Sequence, residues 1–191
     1  FAPSRMLLWV ANQQHLYFGS FVLAVPIFCM LIEFIGIRSK EEDPVMSAKY
    51  DRLAHDLMKV SLTAYSWTAI LGGVLLFTFI TLFPGFFKYM AGIFRPVMHV
   101  YALMFLAESG VLYVYYYGWD KLDRRTHVTV GWIYFISAWA SLFIINGIIT
   151  FMLTSGGWLE NQEFWTGFFN PTFWPSVFIR SFAGFGIAGM F

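Results

Sequence analysis

Five long apolar runs constrain the fold of this chain more than any other feature of its sequence. They cover roughly residues 16–37, 57–82, 94–117, 127–153 and 174–191. A helix needs about 20 apolar residues to cross the hydrocarbon core of a bilayer, and the runs come near that length. The runs are continuous and do not alternate polar with apolar residues, which argues against transmembrane strands. The sequence therefore predicts a single all-α membrane domain over residues 1–191, a polytopic bundle of four to five transmembrane helices.

The composition supports a membrane protein and excludes several other classes. Only 12% of the residues are charged and 59% are hydrophobic, whereas soluble domains devote about a quarter of their residues to charge. A net charge of +1 gives no sign of nucleic-acid binding. The one cysteine, Cys29, excludes a disulfide framework, a zinc spacing and a CxxCH haem attachment. The first run is too long for a signal peptide, and because the chain starts without Met and stops inside an apolar run, we expect missing termini.

The basic residues predict the orientation of the helices. Eight Lys and Arg residues lie in the segments 38–59 and 121–125, and few lie in the alternate loops. The positive-inside rule therefore predicts that these two segments are cytoplasmic and that the N-terminus lies outside. Two stretches of irregular backbone, Pro84–Lys88 and Ser155–Pro171, are then expected on the outer face, where the many aromatic residues between 158 and 174 are typical of an interfacial belt.

Ionisable residues at membrane depth are the candidate functional groups. They are His15, Glu33, His99, Glu108 and Arg180. Glu108 lies deepest, in the middle of an apolar helix, and intramembrane carboxylates usually serve ion or proton paths or neighbour a cofactor. Arg180 requires an anionic partner such as Glu108, a lipid phosphate or a haem propionate.

Simpler interpretations remain open for the other ionisable groups. Glu33 is near the cytoplasmic end of the first run, within reach of Arg38 or Lys40 at the interface. His55 and His127 begin helices on the cytoplasmic side and are interpreted as solvated or capping residues.

His15 is either an interfacial histidine bonded to a backbone carbonyl or a haem ligand. His99 lies nine residues before Glu108, so an ideal helix points the two side chains to opposite faces. A buried histidine near an intramembrane carboxylate, among many aromatic residues, is typical of haem in a helix bundle, although that pattern is not specific.

Four stretches of the chain resemble subunit I of the cytochrome bd quinol oxidases. They are "QHLYFGSFVLAVPIFCMLIEFIG", "FLAESGVLYVYYYGWDKL", "HVTVGWIYFISAWASLFIINGIITFM" and "NPTFWPSVFIRSFAGFGIAGMF". They are similar to that family's first, third, fourth and fifth helices, in that order. The most specific element is "GWDKL" after "ES", and the similarity covers nearly the whole chain.

This resemblance implies roles for individual residues. His15 holds the place of the axial ligand of a high-spin haem of the b or d type, and Glu33 holds that of the glutamate that ends the first helix. Glu108 holds the place of a glutamate of the proton path and the haem surroundings. The family's complex oxidises quinol, reduces oxygen to water and takes protons from the cytoplasmic side of the bacterial inner membrane.

The chain also departs from the family pattern. The family has a second glutamate two turns before the first; Val100 stands there, with His99 beside it. Arg180 stands where the family has a ligand of its low-spin haem, and arginine has no lone pair to give iron. We therefore expect Arg180 to contact a propionate or an acid of a partner instead.

Three functions remain open from the sequence. The first is a redox subunit that binds haem through His15. The second is a haem-free paralogue that supports a full-length related haem subunit, and the third is a proton or ion transporter. In the first two, the expected partners are other oxidase subunits, membrane lipid and quinol.

Overall fold

The computed structural model describes residues 2–191, and in that part of the chain every regular element is an α-helix. The elements are α1 (Ala2–Arg38), α2 (Pro44–Leu82), α3 (Pro84–Tyr117), α4 (Arg124–Leu153), α5 (Trp158–Asn161), α6 (Phe164–Phe168) and α7 (Phe173–Ala188). Helices α1 to α4 are long and apolar enough to cross a membrane. The fifth apolar run forms α7, which has 16 residues. The prediction of an all-α membrane bundle is confirmed.

Helices α2 and α4 begin at matching caps. Asp43 accepts a hydrogen bond from the backbone N–H of Met46, and Asp123 accepts one from that of Thr126. Each carboxylate satisfies an amide that the first turn of a helix leaves free. The polar cap residues explain why α2 starts well before the apolar run that predicted it.

The prediction of irregular backbone on the outer face is wrong for Pro84–Lys88. Helix α3 starts at Pro84, one residue after the C-cap of α2 at Phe83. Proline is well suited to the first position of a helix, because its missing N–H has no partner there in any case.

The prediction is also incomplete for Ser155–Pro171, which contains α5 and α6. Helix α6 packs on α4 where Gly147 leaves room for the ring of Phe168. Phe168 and Phe173 are buried, while Trp165 and Trp174 remain exposed, as expected for a belt with one apolar and one wet side.

The long helices pack as an antiparallel bundle with α7 beside α1. A Cβ at Gly131 of α4 would lie 3.2 Å from the sulfur of Met30, so α1 and α4 approach closely. A Cβ at Gly184 would lie 3.0 Å from the carbonyl oxygen of Ser20, so glycine allows α7 to pack on α1. These contacts bring the polar residues of four helices into the interior.

Candidate functional site

His15 is anchored on α2 through one ring nitrogen. Its Nδ1 lies 2.9 Å from the carbonyl oxygen of Thr68. A carbonyl only accepts, so Nδ1 carries the hydrogen and Nε2 keeps a lone pair in the neutral ring. The ring fits because residue 72 is glycine: a Cβ there would lie 3.2 Å from Cε1 of His15. The bond to a backbone carbonyl agrees with the interfacial alternative for His15, and it also leaves Nε2 free, as in histidines that ligate a metal.

His99 and Glu108 lie on different sides of α3. His99 is exposed, whereas Glu108 is 7% exposed. This agrees with their nine-residue spacing. His99 therefore faces outward from the bundle, away from the carboxyl of Glu108.

Glu108 lies in a part of the interior that contains buried hydroxyl groups. The Ser141 side chain of α4 lies beside its carboxyl group. Within residues 2–191, Ser61, Tyr134 and Ser141 have buried hydroxyl oxygens with no hydrogen-bond partner. Buried polar groups of this kind are commonly satisfied by internal water. The bundle interior near Glu108 therefore contains polar groups that the described residues leave without a partner.

Glu33 is the centre of a second cluster, at the end of the bundle where α2 and α4 begin. Its side chain is 2% exposed and its Oε1 lies 3.1 Å from Nδ1 of His127, which is 3% exposed. The hydroxyl of Tyr115 lies 3.4 Å from Oε2. The interpretation of Glu33 as an interfacial residue near Arg38 or Lys40 is therefore wrong, because α4 supplies closer partners inside the bundle.

Arg124 connects this buried pair with the surface at the same end of the bundle. Its Nε lies 3.7 Å from Oε1 of Glu33, and its Nη1 lies 3.1 Å from Oδ1 of Asp51. A cavity of about 110 Å³ adjoins these groups and is also lined by Trp119, Asp120, Leu122 and His127. The prediction of a solvated His127 is therefore wrong, because the ring is buried; the alternative of a capping residue agrees with the contact between Nε2 and the carbonyl oxygen of Tyr115, in the last turn of α3.

Asp123, which caps α4 beside this cluster, lies outside the membrane-spanning segment. Hydrogen bonds from the side chain and then the backbone N–H of Thr126 hold the pKa of its carboxyl group below the ordinary value. The cap is therefore ionised at neutral pH.

Arg180 is held by a polar chain between α7 and α4. Its Nε lies 3.0 Å from Oγ of Ser176, which donates to Oδ1 of Asn146 over 2.7 Å. Asn146 is fully buried and donates to the carbonyl oxygen of Phe173. Among the residues that the structure describes, no acid lies within ion-pair distance of Arg180, including Glu108.

The structure thus separates the predicted residues instead of joining them in one pocket. His15 contacts α2, Glu108 faces α4, His99 is exposed and Arg180 is held against α4. The cluster of Glu33 and His127 was missed because its members are 94 residues apart in the chain. The one sequence feature that could have predicted their contact is that both residues lie at helix ends predicted to be on the same side of the membrane.

A helix bundle with four membrane-spanning helices and ionisable residues buried between them defines the chain as a polytopic membrane protein. The family model described as "Cytochrome bd terminal oxidase subunit I" matches residues 4–191. The chain belongs to this family, which confirms the resemblance and makes it a component of a terminal oxidase of electron transport. Oxidases of this family are multi-subunit complexes. Comparisons with curated proteins and with solved structures found no match.

Proposed function

We propose that this chain is a membrane subunit of a complex that oxidises quinol and reduces oxygen to water, and that it binds a high-spin haem of the b or d type through Nε2 of His15. The observation that carries the proposal is the bond from Nδ1 of His15 to the carbonyl of Thr68. It fixes the tautomer with a free Nε2 lone pair, which a haem iron requires of an axial imidazole. When bound, the haem supplies the iron through which electrons pass from quinol to oxygen.

Arg180 is a candidate to bind a haem carboxylate or an acidic residue of a partner. Arg180 has one donor engaged by Ser176, and its terminal amino groups are oriented by that bond. A guanidinium in this position favours a carboxylate, since two parallel N–H groups match its two oxygens. His99 is a weaker candidate for the same role, because its ring is exposed on α3.

Glu108 is proposed as the proton-handling carboxylate of the subunit. Reduction of oxygen to water consumes protons, and a carboxyl group beside partnerless hydroxyls can receive and return them through internal water. Replacing Glu108 by Gln keeps the shape of the side chain and removes its exchangeable acid proton. We expect oxygen consumption by the complex to fall at least tenfold in E108Q while the haem spectrum is kept.

A full-length related haem subunit is the proposed partner. Arg180 cannot ligate iron, so the low-spin haem and the quinol site are assigned to that partner. The same observation favours a second candidate, a haem-free subunit that supports the partner. The two differ in whether this chain carries haem at His15.

The proposed location is the bacterial inner membrane, with the N-terminus outside. Single cysteines at Glu42 and Glu160 test the orientation, because both residues are exposed and lie at opposite ends of the bundle. The native Cys29 is fully buried and gives little background. Membrane-impermeant labelling should reach position 160 only from outside; labelling of both positions from one side would reject the topology.

The haem proposal is tested by the absorbance spectrum of the purified complex. Replacing His15 by Ala should remove or shift the high-spin bands, whereas the matched variant H99A should leave them unchanged. Loss of the bands in H99A alone would move the ligand to α3. A complex with an unchanged spectrum in both variants would favour the haem-free alternative, and a preparation without any haem would revive a transporter.

A further inference from the structure

The buried pair of Glu33 and His127 has a hydrogen-bond pattern that requires an additional proton. Nδ1 of His127 lies 3.1 Å from Oε1 of Glu33, and Nε2 lies 3.0 Å from the carbonyl oxygen of Tyr115. A carbonyl and an ionised carboxylate only accept hydrogen bonds. A neutral imidazole has one N–H, so it would direct one nitrogen lone pair at an oxygen lone pair. In a nearly dry position that arrangement is unfavourable.

We propose that Glu33 and His127 form a proton-binding site that holds one proton between Nδ1 and Oε1. With this proton in place, the Nε2–H group donates to the carbonyl of Tyr115, and the Nδ1···Oε1 contact becomes a hydrogen bond. The proton count is the same whether the proton is on the imidazole or on the carboxyl group. The proposal therefore concerns whether the pair holds this proton, and not which of the two groups carries it.

The end of α3 favours positive charge on His127. Tyr115 lies in the last turn of α3, where carbonyl groups lack helical partners and the helix dipole is negative. The imidazole satisfies one of these carbonyls. The first turn of α4 acts in the opposite direction, and the ionised cap Asp123 offsets it.

Among the four groups of this cluster that lie within ion-pair distance of one another, the charges balance only when the proton is present. Arg124 lies beside Glu33 and Asp51, so the ionised group has two negative and two positive members if His127 is protonated. Without the proton, these four groups carry a net charge of −1. Burial of Glu33 makes such an uncompensated negative charge unfavourable. The other titratable groups near the pair are Cys29 and Tyr115 within the bundle and Asp120 at the cavity.

The cavity gives this proton a route to water. Its volume of about 110 Å³ is enough for several water molecules, and its lining includes Glu33 and His127. The site therefore exchanges its proton with the end of the bundle at which Asp51 and Arg124 are partly exposed. It goes beyond the proposed function, because it depends on neither haem nor His15.

Infrared spectroscopy of the purified complex, with ring-¹⁵N-labelled histidine, tests the proposal. We expect the wild-type complex to show the bands of a doubly protonated His127 ring, or of the acid form of Glu33, at about pH 7. In E33Q the amide donates to Nδ1 and a neutral His127 donates to Tyr115, so the pair needs no added proton. This signal should then be absent.

Two variants assign the bands. H55N removes a half-buried histidine of the same end of the bundle, and E108Q removes the other buried carboxyl group; neither should change the signal of the pair. The labelled wild-type complex decides the question even if E33Q fails to assemble. A singly protonated His127 beside an ionised Glu33 at about pH 7 would overturn the proposal. The measurement uses no turnover, so its failure is separate from that of the oxidase proposal.

Discussion

Two regions of the bundle differ in whether their buried polar groups have partners within the chain. At the end where α2 and α4 begin, Glu33, His127, Arg124 and Asp51 satisfy one another within the chain. Elsewhere in the bundle, one nitrogen of His15 and the terminal amino groups of Arg180 have no hydrogen-bond partner among residues 2–191. A buried ionisable group without a partner is unfavourable. The difference indicates that the cluster around Glu33 stabilises the chain itself, and it agrees with the proposal that His15 and Arg180 bind groups supplied from outside the chain.

Removing His127 should have the largest effect on stability. In H127A, Glu33 keeps its burial but loses its nearest partner, and leaving a buried hydrogen-bonding group unsatisfied costs about 1–3 kcal/mol, or more for a charged group. Denaturant unfolding in detergent, followed by circular dichroism, measures the change. The control H55A removes a half-buried ring that stacks on Tyr116 and should cost about 1 kcal/mol. Equal losses of unfolding free energy in the two variants would show that the cluster around Glu33 is not a special source of stability.

Adding a methyl group at Gly72 should displace the ring of His15 while the helix bundle still folds. The new Cβ would lie 3.2 Å from Cε1 of His15, and overpacking of this kind costs about 1–3 kcal/mol. We expect haem bound at His15 to be lost or its bands to shift in G72A. G73A is the matched control, because a Cβ at Gly73 meets nothing within 4 Å. Identical spectra in G72A and G73A would contradict the assignment of His15.

Replacing Arg180 should separate the stability of the chain from that of the complex. In R180Q the isolated chain loses a half-buried cation that has no acidic partner among the described residues, so its unfolding free energy should change by about 1 kcal/mol or less. Retention of the partner or of haem through detergent extraction should fall. The control R95Q removes an exposed arginine of α3 and should leave retention unchanged. A large loss of stability in the isolated R180Q chain would show that its partner is internal.

The helix cap at Asp123 should give the smallest effect, limited to low pH. Its pKa is lower in the folded chain than its ordinary value, because of hydrogen bonds from Thr126. The folded state therefore binds this proton less readily, and the contribution is present above the ordinary aspartate value and lost as pH falls through the folded one. D123N should reduce this acid dependence slightly in thermal melts. The exposed Asp120 is the control, and an equal change in D120N would exclude the cap as the cause.

Local sequence patterns determined the class of the molecule. Continuous apolar runs predicted the membrane helices, because a bilayer leaves few other ways to satisfy the backbone. The motif around Glu108 and the histidine at position 15 predicted the family, which the match over residues 4–191 confirms. The burial of Glu108 followed from its apolar neighbours in the sequence. Its role as a proton carrier and that of His15 as a ligand stay predictions.

Only the tertiary structure decided which polar groups meet. Glu33 and His127 are at the ends of helices that are far apart in the chain, and their individual positions suggested solvated residues. The close approach of α1 and α4 at Gly131 brings them within hydrogen-bond distance. In the same way, packing of α7 on α4 placed Ser176, which binds Arg180 one turn later in α7, against Asn146. Arg180 forms no ion pair with Glu108 among the described residues. Partner choice depends on helix register and on contacts between distant segments, and a local pattern of residues contains neither.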